Sequence, residues 1–271
     1  MSVKNKTLSI DLEQLIEKFS QENVVDEIEK EYQSSPSKLV PLSLLEDTQF
    51  IKNVLISAKT VDFYANGIKE RGVFNPLVVR PKNDKFEVVL GRRRLYGAKK
   101  NGLLTVPCVI ADITDEQVLL MLLADNRDEK DRNVIEMATV YEHLINDFNY
   151  SKETLAQLSH CSRSQVVNQL RILSLSPKVQ KAVSDKKLSY GHARALIGLD
   201  EENANFVLNK IYDEDISVRE TEELVRNLKG QHEDTDPKVK RINNKIVISY
   251  SSIEEAEDKL LKVRDFIESD Y

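Results

Sequence analysis

Apolar and polar positions follow three rhythms along the chain. Between residues 8 and 32, Leu8, Leu12, Leu15, Ile16, Phe19, Val24, Val25 and Ile28 stand among Glu, Asp and Lys. That spacing, close to i, i+3, i+4, predicts an amphipathic helix or two short ones. Gln33 to Ser37 breaks it. A mixed rhythm follows: a short strand at Leu39–Leu42, a helix from Val61 to Arg71 ended by Gly72, and strands at Leu77–Arg80 and Phe86–Leu90 joined by a turn over Pro81–Lys85. Gly91 ends the second strand, Arg92 to Lys100 reads as a helix closed by Asn101-Gly102, and Val106–Ile110 supplies another strand.

From Asp115 to about Gly230 the pattern is helical. Turn signals interrupt it at Asn149-Tyr150-Ser151, His160-Cys161-Ser162, Leu175-Ser176-Pro177 and Lys187-Leu188-Ser189. Residues 230–240 are polar, contain a proline and lack apolar periodicity, which is a linker composition. A strand at Lys245–Tyr250 and a helix from Ser252 to Ile267 remain, too little alone to bury the area that folding demands, so this unit should pair with a second copy. The expected fold is α+β and helix-rich, with an N-terminal helical arm over 1–37, a small α/β domain over 38–114 and an all-helical domain over 115–230. A linker over 231–244 and a C-terminal strand-helix dimerisation unit over 245–271 complete it.

Composition narrows the function. No run of eighteen apolar residues is present and the first residues have no apolar signal core, so a cytoplasmic protein is expected. Cys108 and Cys161 are too few for a disulfide framework or a zinc site. A net charge of -6 argues against a non-specific polyanion binder until it is resolved by segment. Residues 151–200 hold eight Lys and Arg against three acids, a local +5.

That positive segment carries a helix-turn-helix pattern over 151–173. Ser151 is an N-cap, Leu155 and Ala156 face inward, and a second helix begins near Ser162 with Val166, Leu170 and Leu173 on its apolar stripe. Its other face would offer Arg163, Ser164, Gln165, Asn168, Gln169 and Arg171, side chains that reach phosphates and base edges in a major groove. His160 occupies the turn, where glycine would be easier. Two further constellations stand upstream. Gly91-Arg92-Arg93-Arg94 follows a strand and opens a helix, which makes either an anion site suited to phosphates or a solvated basic helix start. Ala124 to Asp131 holds either oxygens for Mg²⁺ or a solvated charge run.

In order, the chain reads GVFNPLVVR (72–80), GRRRLYGAKKNGL (91–103), ADNRDEKDRNVIEMA (124–138), the helix-turn-helix, and LSLSPKVQKAVSDKKLSYGHARALIGL (173–199). From about residue 38 to 230 this resembles the ParB family of plasmid and chromosome partition proteins. The resemblance implies a ParB/sulfiredoxin-like N-terminal domain in a homodimer that recognises a palindromic centromere-like site on double-stranded DNA. It also implies that CTP with Mg²⁺ closes the dimer into a sliding clamp.

Carried over by position, Gly72, Val73, Phe74, Asn75 and Pro76 would lie against the base, and Gly91, Arg92, Arg93 and Arg94 at the triphosphate. Asn126 would join the nucleotide site, with Asp125 and Asn126 near Mg²⁺. Lys152, Ser162, Arg163, Ser164, Gln165, Asn168, Gln169, Arg171, Lys187, Ser189, Gly191, His192 and Arg194 would contact DNA. Where the family reads Gly-Glu-Arg-Arg with a further arginine two positions on, this chain has Arg92 and Tyr96. Where the family's magnesium motif begins Glu-Asn and runs to Gln-Arg, it has Asp125-Asn126 and then Asp128-Glu129. These departures leave CTP hydrolysis open and the catalytic residues unassigned. The helix over 8–32 is either a docking segment for a ParA-type ATPase or packed on its own domain. A plasmid or phage transcriptional regulator on the same scaffold is the alternative function.

Overall fold

The computed structural model describes residues 16–17, 36–128, 133–233, 238–242 and 245–249. The helix expected over 8–32, Ile16 and Glu17 excepted, and that over 252–267 lie outside the described residues. The chain divides into two compact units, residues 1–197 and 198–271.

Unit one opens with β1 (Lys38–Pro41), a single 3₁₀ turn (Leu42–Leu44), β2 (Leu45–Asp47) and α1 (Ala58–Arg71). Then come β3 (Leu77–Lys82), β4 (Lys85–Leu90), α2 (Arg92–Lys100), β5 (Thr105–Ile110) and α3 (Asp115–Asp128). The strands form one sheet in the order β1-β5-β3-β4-β2, with β3 antiparallel to β4 and parallel to β5. The expected hairpin is present with a tighter turn: Pro81 and Lys82 belong to β3, and Asn83, at φ 53, makes the bend. Proline fits there because β5 accompanies β3 only as far as Val79, so no ladder bond on that side is lost.

Val40, Leu77, Val79, Val88, Leu95, Val106 and Cys108 form the core between the sheet and the first two helices. Burial pushes the Cys108 thiol up to about 12, so it behaves as an apolar group. At Gly97 a Cβ would meet backbone atoms of Tyr64 and Ala65 at 3.0 Å, which is how closely α2 approaches α1. Every residue of α3 from Val118 to Ala124 is buried, as its unbroken apolar run demands.

Four turn signals in the sequence correspond to four serine-started helices. After α4 (Val134–Phe148) come α5 (Lys152–Leu158), α6 (Arg163–Ile172), α7 (Pro177–Ser184) and α8 (Tyr190–Leu196), preceded by Ser151, Ser162, Ser176 and Ser189. Three of these serines accept a hydrogen bond from the third helical N–H; at Ser176 a following proline sets the first turn instead.

Unit two contains α9 (Glu201–Glu214), α10 (Val218–Glu233), β6 (Lys238–Ile242) and β7 (Lys245–Ser249). Strands β6 and β7 pair antiparallel, so a hairpin stands where the composition read as linker. Val239 and Ile242 stand three apart with charged residues at the other three positions, so no strand periodicity shows in Lys-Val-Lys-Arg-Ile.

Candidate nucleotide and DNA sites

The start of α2 turns on a glycine whose backbone any L side chain would strain. Gly91 sits at φ 93, and a Cβ on it would meet the Arg94 guanidinium at 3.0 Å. The three arginines that follow point to different acceptors, since successive side chains leave a helix about 100° apart. Arg94 Nη1 donates to the carbonyls of Asn75 (2.9 Å) and Pro76 (3.1 Å), pinning the 72–76 loop. Arg93 Nη1 donates to Asp125 Oδ2 at 2.7 Å.

Arg92 turns inward, and this corrects its expected place at the triphosphate. It is buried, with Nε on Asp47 (2.8 and 2.9 Å), Nη1 on Glu136 Oε2 (3.2 Å) and Nη2 on the carbonyls of Ile51 (3.0 Å) and Val54 (2.5 Å). A guanidinium so enclosed is held by the protein's own acceptors. Tyr96, the other departure in this motif, donates to Asp47 Oδ2 at 2.9 Å and lies under the Arg92 guanidinium, 5.6 Å from centroid to charge. Burial, reinforced by the Asp47 charge, raises the Tyr96 hydroxyl above its ordinary value. Both departures therefore meet on Asp47.

Beside Arg94 a cavity of about 660 Å³ opens, lined by Phe63, Tyr64, Gly67, Arg71, Gly72, Val73, Phe74 and Asn75 among others. Phe74 is 91% and Phe63 74% exposed, large apolar faces left to solvent on one rim. Such a cleft suits a planar ring with an anionic tail. Phe63, Tyr64 and Arg71 belong to α1 and were not singled out from the sequence, where they read as ordinary helix surface.

Asp125 and Asn126 close α3. Asn126 is fully buried; its Nδ2 donates to Leu122 O (3.2 Å) and Glu136 Oε1 (2.7 Å), and its Oδ1 is enclosed without a hydrogen-bond partner. A carboxylate and an uncommitted amide oxygen are hard donors, so this pair fits a Mg²⁺ ion by chemistry.

Helices α5 and α6 form the expected helix-turn-helix. Leu155, Ala156, Leu158, Val166 and Ile172 are buried between them and α4, and Cys161 N donates to Ala156 O at 2.9 Å across the turn. His160 adopts φ 49, the left-handed conformation that glycine would take without strain. The reading face is narrower than expected. Gln165 Oε1 accepts from Ser162 N (2.8 Å) while Ser162 Oγ accepts from Gln165 N (3.2 Å), so these two side chains form a capping box. Gln169 places its carbonyl oxygen in the interior without a partner, so it turns away from the groove face.

Ser164, Asn168 and Arg171 remain at i, i+4, i+7, with Arg163 exposed beside them and paired to Glu153. Helix α8 packs on α6, and there Ser189 caps the helix, its Oγ 2.8 Å from His192 Nδ1. Lys187 and Arg194 are exposed, and Lys152, Gly191 and His192 half-buried.

Residues 7–127 match the ParB N-terminal domain and residues 130–230 the ParB HTH domain, so the family boundary places α3 with the N-terminal part. The probable chromosome-partitioning protein ParB of Campylobacter jejuni is 31% identical over 221 residues, covering 79% of this chain and 80% of that protein. The nucleoid occlusion protein of Shouchella clausii is 32% identical over 220 residues, covering 79% of this chain and 78% of the relative. A crystal structure of C-terminally truncated ParB from Caulobacter crescentus complexed to the centromeric parS site shares 30% identity, covering 70% of this chain and 100% of that one, at a TM-score of 0.42. The sequence matches alone, each spanning most of both proteins, decide the relationship: the chain belongs to the ParB family of chromosome-partitioning proteins.

Proposed function

We propose that this chain is a homodimeric, site-specific DNA-binding partition protein whose hold on DNA is gated by CTP with Mg²⁺. The observation that carries the DNA half is the α5–α6 pair, with Arg163, Ser164, Asn168 and Arg171 on one open face inside a segment of local charge +5. Identical recognition helices in a dimer call for equivalent half-sites, hence a palindrome. The C-terminal unit is the proposed tether between copies, and a ParA-type ATPase is the proposed partner of the N-terminal arm.

The cleft at Phe63, Phe74 and Asn75 would take the base, and the α2 start with Arg93 and Arg94 the phosphates, at a helix N-terminus where N–H groups and dipole favour anions. Asp125 and Asn126 would hold Mg²⁺, which would neutralise phosphate charge. Bound between two N-terminal regions, the nucleotide would favour their mutual engagement and close a clamp.

Chromatin immunoprecipitation of the full chain tests the DNA half. Discrete peaks sharing an inverted repeat are expected, lost in the Arg163→Ala, Asn168→Ala variant. Uniform coverage, or peaks that survive the double substitution, would overturn the reading of α6.

A further inference from the structure

Glu136, in the first turn of α4, makes contacts that its own helix does not need. The turn is already capped by Asn133, whose Oδ1 accepts from Ile135 N and Glu136 N. The Glu136 carboxylate, 3% exposed, instead reaches out of the helical half. Its Oε2 accepts from Arg92 Nη1 at 3.2 Å and its Oε1 from Asn126 Nδ2 at 2.7 Å.

Those two partners belong to the two elements of the nucleotide site. Arg92 opens the turn that presents Arg93 and Arg94, and Asn126 adjoins Asp125, which holds Arg93 at 2.7 Å. Arg92 ties the 51–54 segment into the same cluster through two backbone carbonyls. On the other side, Arg127 Nη1 donates to Leu158 O at 3.2 Å, the end of the first helix of the helix-turn-helix. Arg92 and Arg93 are consecutive, as are Asp125 and Asn126, so displacing Arg93 or Asp125 toward a ligand shifts the backbone that carries both partners of Glu136.

We infer that Glu136, held by Arg92 and Asn126, is the positioning residue that passes the state of the nucleotide site to α4 and so to the helix-turn-helix. The inference takes its ligand from the proposed nucleotide site, while the link itself stands on contacts within the chain. It also gives Arg92 and Asp47 a joint role, as the anchor against which the carboxylate is held.

Amide hydrogen exchange on the full chain tests this, with Glu136→Gln as the variant. Glutamine keeps an oxygen for Asn126 but turns an amide toward Arg92, so it cuts one contact without emptying the site. Without ligand, exchange should rise roughly threefold in both 48–57 and 133–140, with β3 to β5 unchanged. In the wild-type chain CTP with Mg²⁺ should protect both 91–100 and 133–140; in Glu136→Gln protection at 91–100 should persist and that at 133–140 should vanish. CTP-induced protection of α4 that survives Glu136→Gln would overturn the inference, because a purely structural glutamate predicts that result. If CTP protects nothing in the wild type, the nucleotide reading fails, and the ligand-free arm still decides the link: loosening confined to 133–140 refutes it. Arg92→Lys probes the same link from the opposite side should Glu136→Gln fold poorly.

Discussion

Two arginine–glutamate pairs buried among the described residues of unit one, Arg80–Glu87 and Arg92–Glu136, are tuned in opposite directions. Glu87, on β4, accepts from Arg80 Nε (2.6 Å), Lys82 Nζ (3.1 Å) and Gln49 N (2.8 Å). Burial works against its charge, yet these donors together outweigh it and hold the carboxyl below the ordinary glutamate range. Glu136 has one guanidinium at 3.2 Å and a neutral amide. There burial wins over the pull of Arg92 and Arg93, and the carboxyl is pushed up. The first pair lies within the sheet and its hairpin and holds them together; the second crosses to α4 with its charge barely compensated. A weakly compensated buried charge contributes little to stability and is easily reset by a neighbour, which suits it to signalling.

The largest effect should come from removing the anchor. Arg92→Ala leaves Asp47 and Glu136 facing each other without their cation and should cost about 3–5 kcal/mol in urea unfolding. Next, Glu87→Gln should cost about 2 kcal/mol, the usual worth of charged hydrogen bonds. It should also flatten the acid limb of stability. Because the folded carboxyl titrates below the unfolded one, its contribution is complete above the ordinary glutamate value and is lost as pH falls through the folded value; unfolding midpoints from pH 7 to pH 3 read this directly. Ser162→Ala, outside both clusters, should cost about 1 kcal/mol through the lost capping box and loosen α6 alone. Glu136→Gln should be the mildest, under about 1 kcal/mol, since neutralising a side chain that is disfavoured as an anion removes little. Equal losses for Glu87→Gln and Glu136→Gln would erase the contrast.

How much of this was legible beforehand depended on the range of the interactions. Short-range signals served well: the serines before α5, α6, α7 and α8, β-branched runs at Leu77–Arg80 and Phe86–Leu90, and Gly91 at the strand-to-helix turn all appear where the pattern placed them. Strand β2 is only three residues long, too short for any periodicity, and β6 was masked by its lysines and arginine. In the site, three adjacent arginines are visible in the sequence, but their acceptors are not. Asp47 and Glu136 stand 45 and 44 residues from Arg92, so its inward turn is set by tertiary structure alone. The capping role of Gln165 was readable from Ser162-x-x-Gln165, but the groove-face reading of that helix took precedence. The inward turn of Gln169 had no local signature.

Isothermal titration of CTP with Mg²⁺ into the full chain tests the central claim most directly. The cleft beside Arg94 and the paired Arg93 and Asp125 predict saturable heat, weakened at least tenfold by Arg93→Ala and nearly unchanged by Glu136→Gln. Absence of heat with CTP from a chain that still binds its DNA site would contradict the account.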